Sequence, residues 1–159
     1  MFPPMRRSTE MQIIGFDGTI PARDREILQA IGEWLTRNGE AIYETKPWRK
    51  AGDGPTKIRS GQFQEAQVTD YTSEDFRFTV RGAALYAIGM VCPENGQTRI
   101  RSLAKSVDQN LPEFHGIIKE VSILGYEETP ISWQVTTEGL LIDCPIKTHE
   151  PIVFKIIMK

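Results

Sequence analysis

Carboxylates are the side chains from which this sequence could most readily build acid–base chemistry. Glu40, Glu44, Asp53, Asp75, Glu113, Glu127, Glu128 and Asp143 are spread along the chain. Bond cleavage by double displacement on a carboxylate pair needs two of them about 5–5.5 Å apart, one with a raised pKa. No spacing in the sequence singles out such a pair, and an acidic residue by default occupies a solvated face. His115 and His149 have no Ser or Cys nucleophile pattern such as G-x-S-x-G near them. Gly52-Asp53-Gly54-Pro55 lacks the Lys and Ser placement of a phosphate-cradling loop. Cys92 and Cys144 are not a CxxC pair, and with two histidines they cannot supply a tightly spaced set of four zinc ligands. No catalytic residue, metal or cofactor is therefore predicted. For the cysteines, one disulfide and two buried thiols at strand ends are both open. Lys57, Arg59, Arg77, Arg81, Arg99 and Arg101 could form a basic face but read as solvated strand faces. Nineteen basic residues against 21 acidic give a net charge of −2, which argues against wholesale binding of nucleic acid or an anionic membrane.

The elements that must carry these residues fit an ordinary globular composition, 40% hydrophobic and 25% charged over 159 residues. That length excludes a complete TIM barrel, which needs roughly 200 residues or more. Pro21 to Asn38 is the helix. Pro21 suits the first helical position, and Asp24 and Glu26 favour the first turns. Ile27, Ile31, Trp34 and Leu35 recur at helical spacing as one apolar stripe, and Gly39 is expected to end the helix in a left-handed conformation. Trp48 to Gly61, punctuated by Gly52, Gly54 and Pro55, reads as a linker or long loop.

From about Phe63 the period becomes two. Phe76, Phe78 and Val80 alternate with Arg77, Thr79 and Arg81. Leu85–Val91, Thr98–Leu103, Ile117–Leu124, Ile131–Thr136, Leu140–Cys144 and Ile152–Met158 are further strands. Asn95-Gly96 is a hairpin signal, Glu138-Gly139 joins two strands tightly, and Asp108–Phe114 is a polar loop. The fold class is mainly β: an antiparallel two-sheet β-sandwich preceded by one long N-terminal α-helix. The segments are 1–47 for the N-terminal stretch and helix, 48–62 for the linker, and 63–159 for the sandwich.

Asp17-Gly18-Thr19-Ile20-Pro21, Glu33-Trp34-Leu35 and Asn38-Gly39-Glu40-Ala41-Ile42-Tyr43-Glu44-Thr45-Lys46-Pro47-Trp48 resemble the end of the catalytic domain of α-L-fucosidases, glycoside hydrolase family 29. A DG-x-IP loop there opens the last barrel helix, a W-L-x-x-NGEAIY-x-T-[RK]-PW signature closes it, and a β-sandwich follows. Asp75–Thr79, Leu85–Ile88, Ile117–Gly125 and Trp133 match the sandwich. The resemblance covers about residues 12–159. Met11–Phe16 stands as a shortened form of the family's longer strand and loop. The resemblance implies a parent reaction, hydrolysis of terminal α-L-fucosides with retention, acting on a fucosylated glycan. The family's nucleophile and fucose-holding residues lie on earlier barrel strands, so no position here inherits them. Asp17, on the catalytic side, reads as part of a turn, and Glu40, on the opposite face, as a structural hydrogen-bonding group in the corner.

The expected role is structural or oligomerising, with the Ile27/Ile31/Trp34/Leu35 stripe covering a barrel strand. Without a barrel the stripe is expected to fold back on the sandwich or to be buried in a homo-oligomer. The alternative is a stand-alone carbohydrate-binding or protein-interaction β-sandwich, for which Tyr71 and Tyr126, in expected loops, are the substrate-binding candidates. Trp34, Trp48 and Trp133 are read as structural. Neither nucleic acid nor membrane is an expected partner. Met1–Arg7 starts basic, but no apolar stretch of signal-peptide length follows. The family is often exported or lysosomal, and the compartment stays open.

Overall fold

A computed structural model describes residues 18–56, 70–106 and 116–159. The chain divides into two compact units, Met1–Thr36 and Arg37–Lys159.

Helix α1 spans Ala22–Asn38. The Pro21 carbonyl accepts the Arg25 N–H at 3.0 Å, so Pro21 caps the helix from just outside it. Ile27, Leu28 and Ile31 are 41%, 41% and 49% exposed, and Trp34 and Leu35 are half-buried. Gly39 does not end α1 in a left-handed conformation as expected. It opens a 3-10 turn, Gly39–Ala41, and the left-handed residue is Glu44 at φ 57°. A Cβ at Gly39 would stand 2.8 Å from Cε2 of the exposed Tyr43 side chain, which would have to shift.

Two antiparallel sheets form the second unit. Strands β1 (Lys46–Asp53), β2 (Phe76–Arg81), β3 (Ala84–Gly89), β5 (Ile118–Ile123) and β8 (Ile152–Met158) make a five-stranded sheet in the order β1-β2-β3-β8-β5. Strands β4 (Gln97–Ile100), β6 (Trp133–Thr136) and β7 (Gly139–Asp143) make a three-stranded one in the order β4-β7-β6. Alternation along each strand decides which side chains enter the space between the sheets. Phe76 and Phe78, Leu85 and Ala87, Val121 and Ile123, and Ile152, Phe154 and Ile156 come from the larger sheet. Ile100, Leu140 and Ile142 come from the smaller, all in one buried cluster. Phe76 and Phe78 stack with ring centroids 6.4 Å apart.

Three local readings are corrected. Trp48–Asp53, expected as linker, lies in β1, antiparallel to β2 with a register shift between Pro47 and Gly52. As an edge strand it tolerates a proline, whose missing N–H would break a central ladder. The rest of the expected linker, from Lys57 on, is outside the described residues, as are Asp17, His115 and the Asp108–Phe114 loop. The Asn95-Gly96 turn is formed, with Gly96 at φ 75° and its N–H bonded to the Pro93 carbonyl. It does not make a hairpin, because β3 and β4 belong to different sheets and β4 pairs with β7. The expected Thr98–Leu103 strand ends at Ile100, and Arg101–Leu103 is a 3-10 turn.

Candidate functional site

The segment that follows α1 concentrates the polar chemistry of the fold. Strand register prepares its seat. Thr79 of β2 lies opposite Tyr86 of β3, and Tyr86 lies opposite Lys155 of β8, so the three form one row on the outer face of the larger sheet. Onto this row the 3-10 turn lays Glu40. Its Oε1 accepts from the Tyr86 hydroxyl at 2.6 Å and from Lys155 Nζ at 2.5 Å. Arg81 reaches the same oxygen at 3.6 Å and Glu44 at 3.8 Å. The Thr79 hydroxyl donates to the Ala41 carbonyl at 2.6 Å. Asn38, Gly39 and Ala41 are buried beneath.

The electrostatics follow from that geometry. The Lys155 ammonium, then the Tyr86 hydroxyl, hold the Glu40 carboxyl below the usual range. Burial, then the hydrogen bond to Glu40, pushes the Tyr86 phenol up to about 12. Tyr86 is 1% exposed, so its hydroxyl needs the partner it has. A second tie stands nearby in sequence. Arg37 Nη2 donates to Glu150 Oε2 at 2.5 Å, and this contact, with a smaller contribution from Tyr126, pushes the Arg37 pKa up.

A second carboxylate cluster closes the side of the sandwich. Asp75, 1% exposed, receives the Thr56 N–H at 3.0 Å and hydroxyl at 2.8 Å, and the Thr72 N–H at 2.6 Å and hydroxyl at 2.9 Å. Burial alone would raise its pKa, but the bonds from Thr72 and Thr56 outweigh it and the net direction is down. Gly54, at φ 123°, leaves room for it: a Cβ there would stand 2.3 Å from Asp75 Oδ1. Asp53 accepts the Ser102 N–H at 2.7 Å and Lys50 Nζ at 3.1 Å. Its burial is likewise overcome by those bonds. Ser132, at 2.5 Å, and Gln97, at 2.9 Å, lower Asp143. Every carboxyl with a displaced pKa among the described residues is thus displaced downward, the opposite of what a general acid near neutral pH needs.

Trp34, Trp48 and Trp133 are the tryptophans expected to be structural. Trp48, in β1, sets its ring edge-on to Phe78 at 5.1 Å, with the Arg49 guanidinium 5.1 Å above it. Trp133, in β6, is half-buried against the core, and Trp34 is half-buried in α1. Tyr71 precedes β2 and Tyr126 follows β5, both half-buried. Those strands are three places apart in the five-stranded sheet. Of the residues considered for a basic face, Lys57 and Arg59 lie outside the described residues, and Arg81, Arg99 and Arg101 are paired with carboxylates. Arg99 and Arg101 both bond Glu74, at 2.9 and 2.6 Å, and Arg99 also bonds Glu138. Lys155, Thr79, Arg37 and Glu150 were not legible as site residues. The available signal was Lys155, a lone charge inside the apolar run Ile152–Met158.

The family model described as the α-L-fucosidase C-terminal domain matches residues 68–157. Tissue α-L-fucosidase of Mus musculus is 33% identical over 130 residues, covering 81% of this chain and 23% of that protein. Plasma α-L-fucosidase of Homo sapiens is 30% identical over 130 residues, covering 81% of this chain and 22% of that protein. The chain thus spans about a quarter of the length of these relatives. Among solved structures, Thermotoga maritima α-fucosidase in complex with a mechanism-based inhibitor matches with a TM-score of 0.60 and 23% identity, over 89% of this chain and 28% of that one. This is a likeness of fold.

Proposed function

The chain belongs to the α-L-fucosidase C-terminal domain family, and on that premise we propose that it is the structural β-sandwich of a glycoside hydrolase that removes terminal α-L-fucose from fucosylated glycans with retention. In this reading the chain performs no hydrolysis itself. Its work is to anchor the segment that follows α1, so that the Ile27/Ile31/Trp34/Leu35 stripe can meet a catalytic barrel.

The observation that carries the reading is the Glu40 dock. A carboxylate bound by Tyr86 and Lys155, with the Ala41 carbonyl bound by Thr79, ties the segment after α1 to three strands of one sheet. Such a cluster orients a backbone and offers no raised-pKa acid. The downward displacement of Asp53, Asp75 and Asp143 supports the same conclusion. The exposed Ile27, Leu28 and Ile31 on α1 supply an apolar stripe for the barrel to cover.

Two measurements test it. The purified chain should give no turnover of a chromogenic α-L-fucoside; turnover abolished by one carboxylate substitution would overturn the non-catalytic reading. Co-expressed with an α-L-fucosidase barrel lacking its own C-terminal domain, the chain should recover soluble, active barrel. The double substitution Ile27→Glu with Ile31→Glu should lose that recovery. Equal recovery by wild type and the double variant would sink the role assigned to the stripe.

A further inference from the structure

We propose that Cys92 and Cys144 are a disulfide-forming pair that joins the two sheets when the chain meets a small disulfide oxidant of the glutathione type. Cys92 follows β3 in the larger sheet, and Cys144 directly follows β7 in the smaller. Both are free and buried. Their thiols turn to the same acceptor: the Ile146 carbonyl receives Cys92 Sγ at 3.1 Å and Cys144 Sγ at 3.9 Å. The two sulfurs therefore lie at most about 7 Å apart, and both would turn from the shared carbonyl toward each other to reach the ~2 Å of a disulfide. The backbone already holds the segments together, since the Cys144 N–H bonds the Gly96 carbonyl at 2.7 Å and the Gly96 N–H bonds the Pro93 carbonyl.

The pair is unequal in access. Cys92, 8% exposed, lines a cavity of about 320 Å³ with Met90, Pro93, Lys147 and His149. Lys147 braces that cavity by donating to the Pro93 and Glu94 carbonyls. Cys144 is wholly buried, and burial, with a contribution from the Cys92 thiol, pushes its pKa up. This sets the order of events. Deprotonated Cys92 attacks one sulfur of glutathione disulfide, forming a mixed disulfide and releasing one glutathione as thiolate. Cys144 gives up its proton and attacks Cys92 Sγ, releasing the second glutathione. The two protein thiols are oxidised, one disulfide is reduced to two thiols, and the two protons lost are taken up by the departing glutathiones.

Intact mass spectrometry on the whole chain tests the proposal. After exposure to glutathione disulfide, denaturation and alkylation, the wild type should carry no alkyl groups, should weigh two hydrogens less than the reduced chain, and should stay monomeric. Its midpoint of thermal unfolding should rise, because the bond closes a loop of roughly 50 residues. Cys144→Ser should stop at one glutathione on Cys92, and Cys92→Ser should stay unmodified while folded. Alkylation of both thiols in the exposed wild type, a disulfide-linked dimer, or glutathione on Cys144 in Cys92→Ser would overturn it. The wild-type measurement decides the matter even if a variant fails to fold.

Discussion

Replacing Asp75 by asparagine isolates the best-bonded carboxylate of the sandwich. Asp75 Oδ2 accepts three hydrogen bonds, from the Thr56 hydroxyl and the Thr72 N–H and hydroxyl, and Oδ1 accepts the Thr56 N–H. An asparagine places its single oxygen best where three donors converge. Its NH₂ then faces the Thr56 N–H, donor against donor. Hydrogen bonds to a charged group contribute about 1.5–3 kcal/mol and neutral ones about 1 kcal/mol. Neutralising three bonds and leaving one buried donor unpaired should therefore cost at least about 2.5 kcal/mol, a large share of the roughly 5–15 kcal/mol typical of a domain. The pH dependence makes this specific. The Asp75 pKa is lowered in the folded chain, so its contribution is present above the unfolded value of about 3.9 and is lost as pH falls through the lower folded value. The amide side chain of the variant does not titrate. Urea unfolding of wild type and Asp75→Asn should show the full gap at neutral pH and a narrowing gap below about pH 4. A gap that is negligible at neutral pH, or constant down to about pH 2–3, would refute the reasoning.

The Tyr86 phenol, at about 12, should remain protonated in a near-ultraviolet titration carried well past the ordinary phenol value of about 10. Its stabilising contribution is complete below the unfolded value of about 10 and fades as pH rises through the folded one. Glu40→Gln should bring the Tyr86 titration down and cost about 1–2 kcal/mol, measured by urea unfolding, with Tyr86→Phe less costly in the Glu40→Gln background than alone. Gly54→Ala should destabilise the sandwich by more than about 2 kcal/mol, because it combines a left-handed φ with a collision against Asp75, and loss of soluble or cooperatively unfolding protein would report it. Gly32→Ala, within α1 and with nothing within 4 Å of the new Cβ, should instead raise helix content in far-ultraviolet circular dichroism, at a gain of about 0.5–1 kcal/mol.

Sequence reasoning reached the elements whose pattern is local and periodic. Phe76 and Phe78 alternate with polar residues because one face of β2 is core, and Ile152–Met158 was delimited by its own apolar run. Strand β1 escaped because nothing in it alternates: only Trp48, Gly52 and Asp53 are even partly shielded, and its proline and glycine read as punctuation. The Asn95-Gly96 turn was visible as a turn, but a local φ cannot say whether the chain returns to its own sheet or crosses to the other. The Glu40 dock was the least legible. Glu40 itself was read correctly as a corner hydrogen-bonding group, but its partners come from β3 and β8, and only strand register puts Tyr86 beside Lys155.

Among the described residues, the larger sheet ends in strands β1 and β5. Strand β1 carries Pro47, Arg49 and Lys50 and breaks register between Pro47 and Gly52. Strand β5 carries Lys119 and Glu120 and breaks register between Ile118 and Glu120. A foreign strand seeking to add itself to either margin would meet an interrupted ladder and charged side chains within a few residues. At these two strands charge and broken register oppose runaway fibril growth, while the apolar interior stays rich in the β-branched residues that such growth favours.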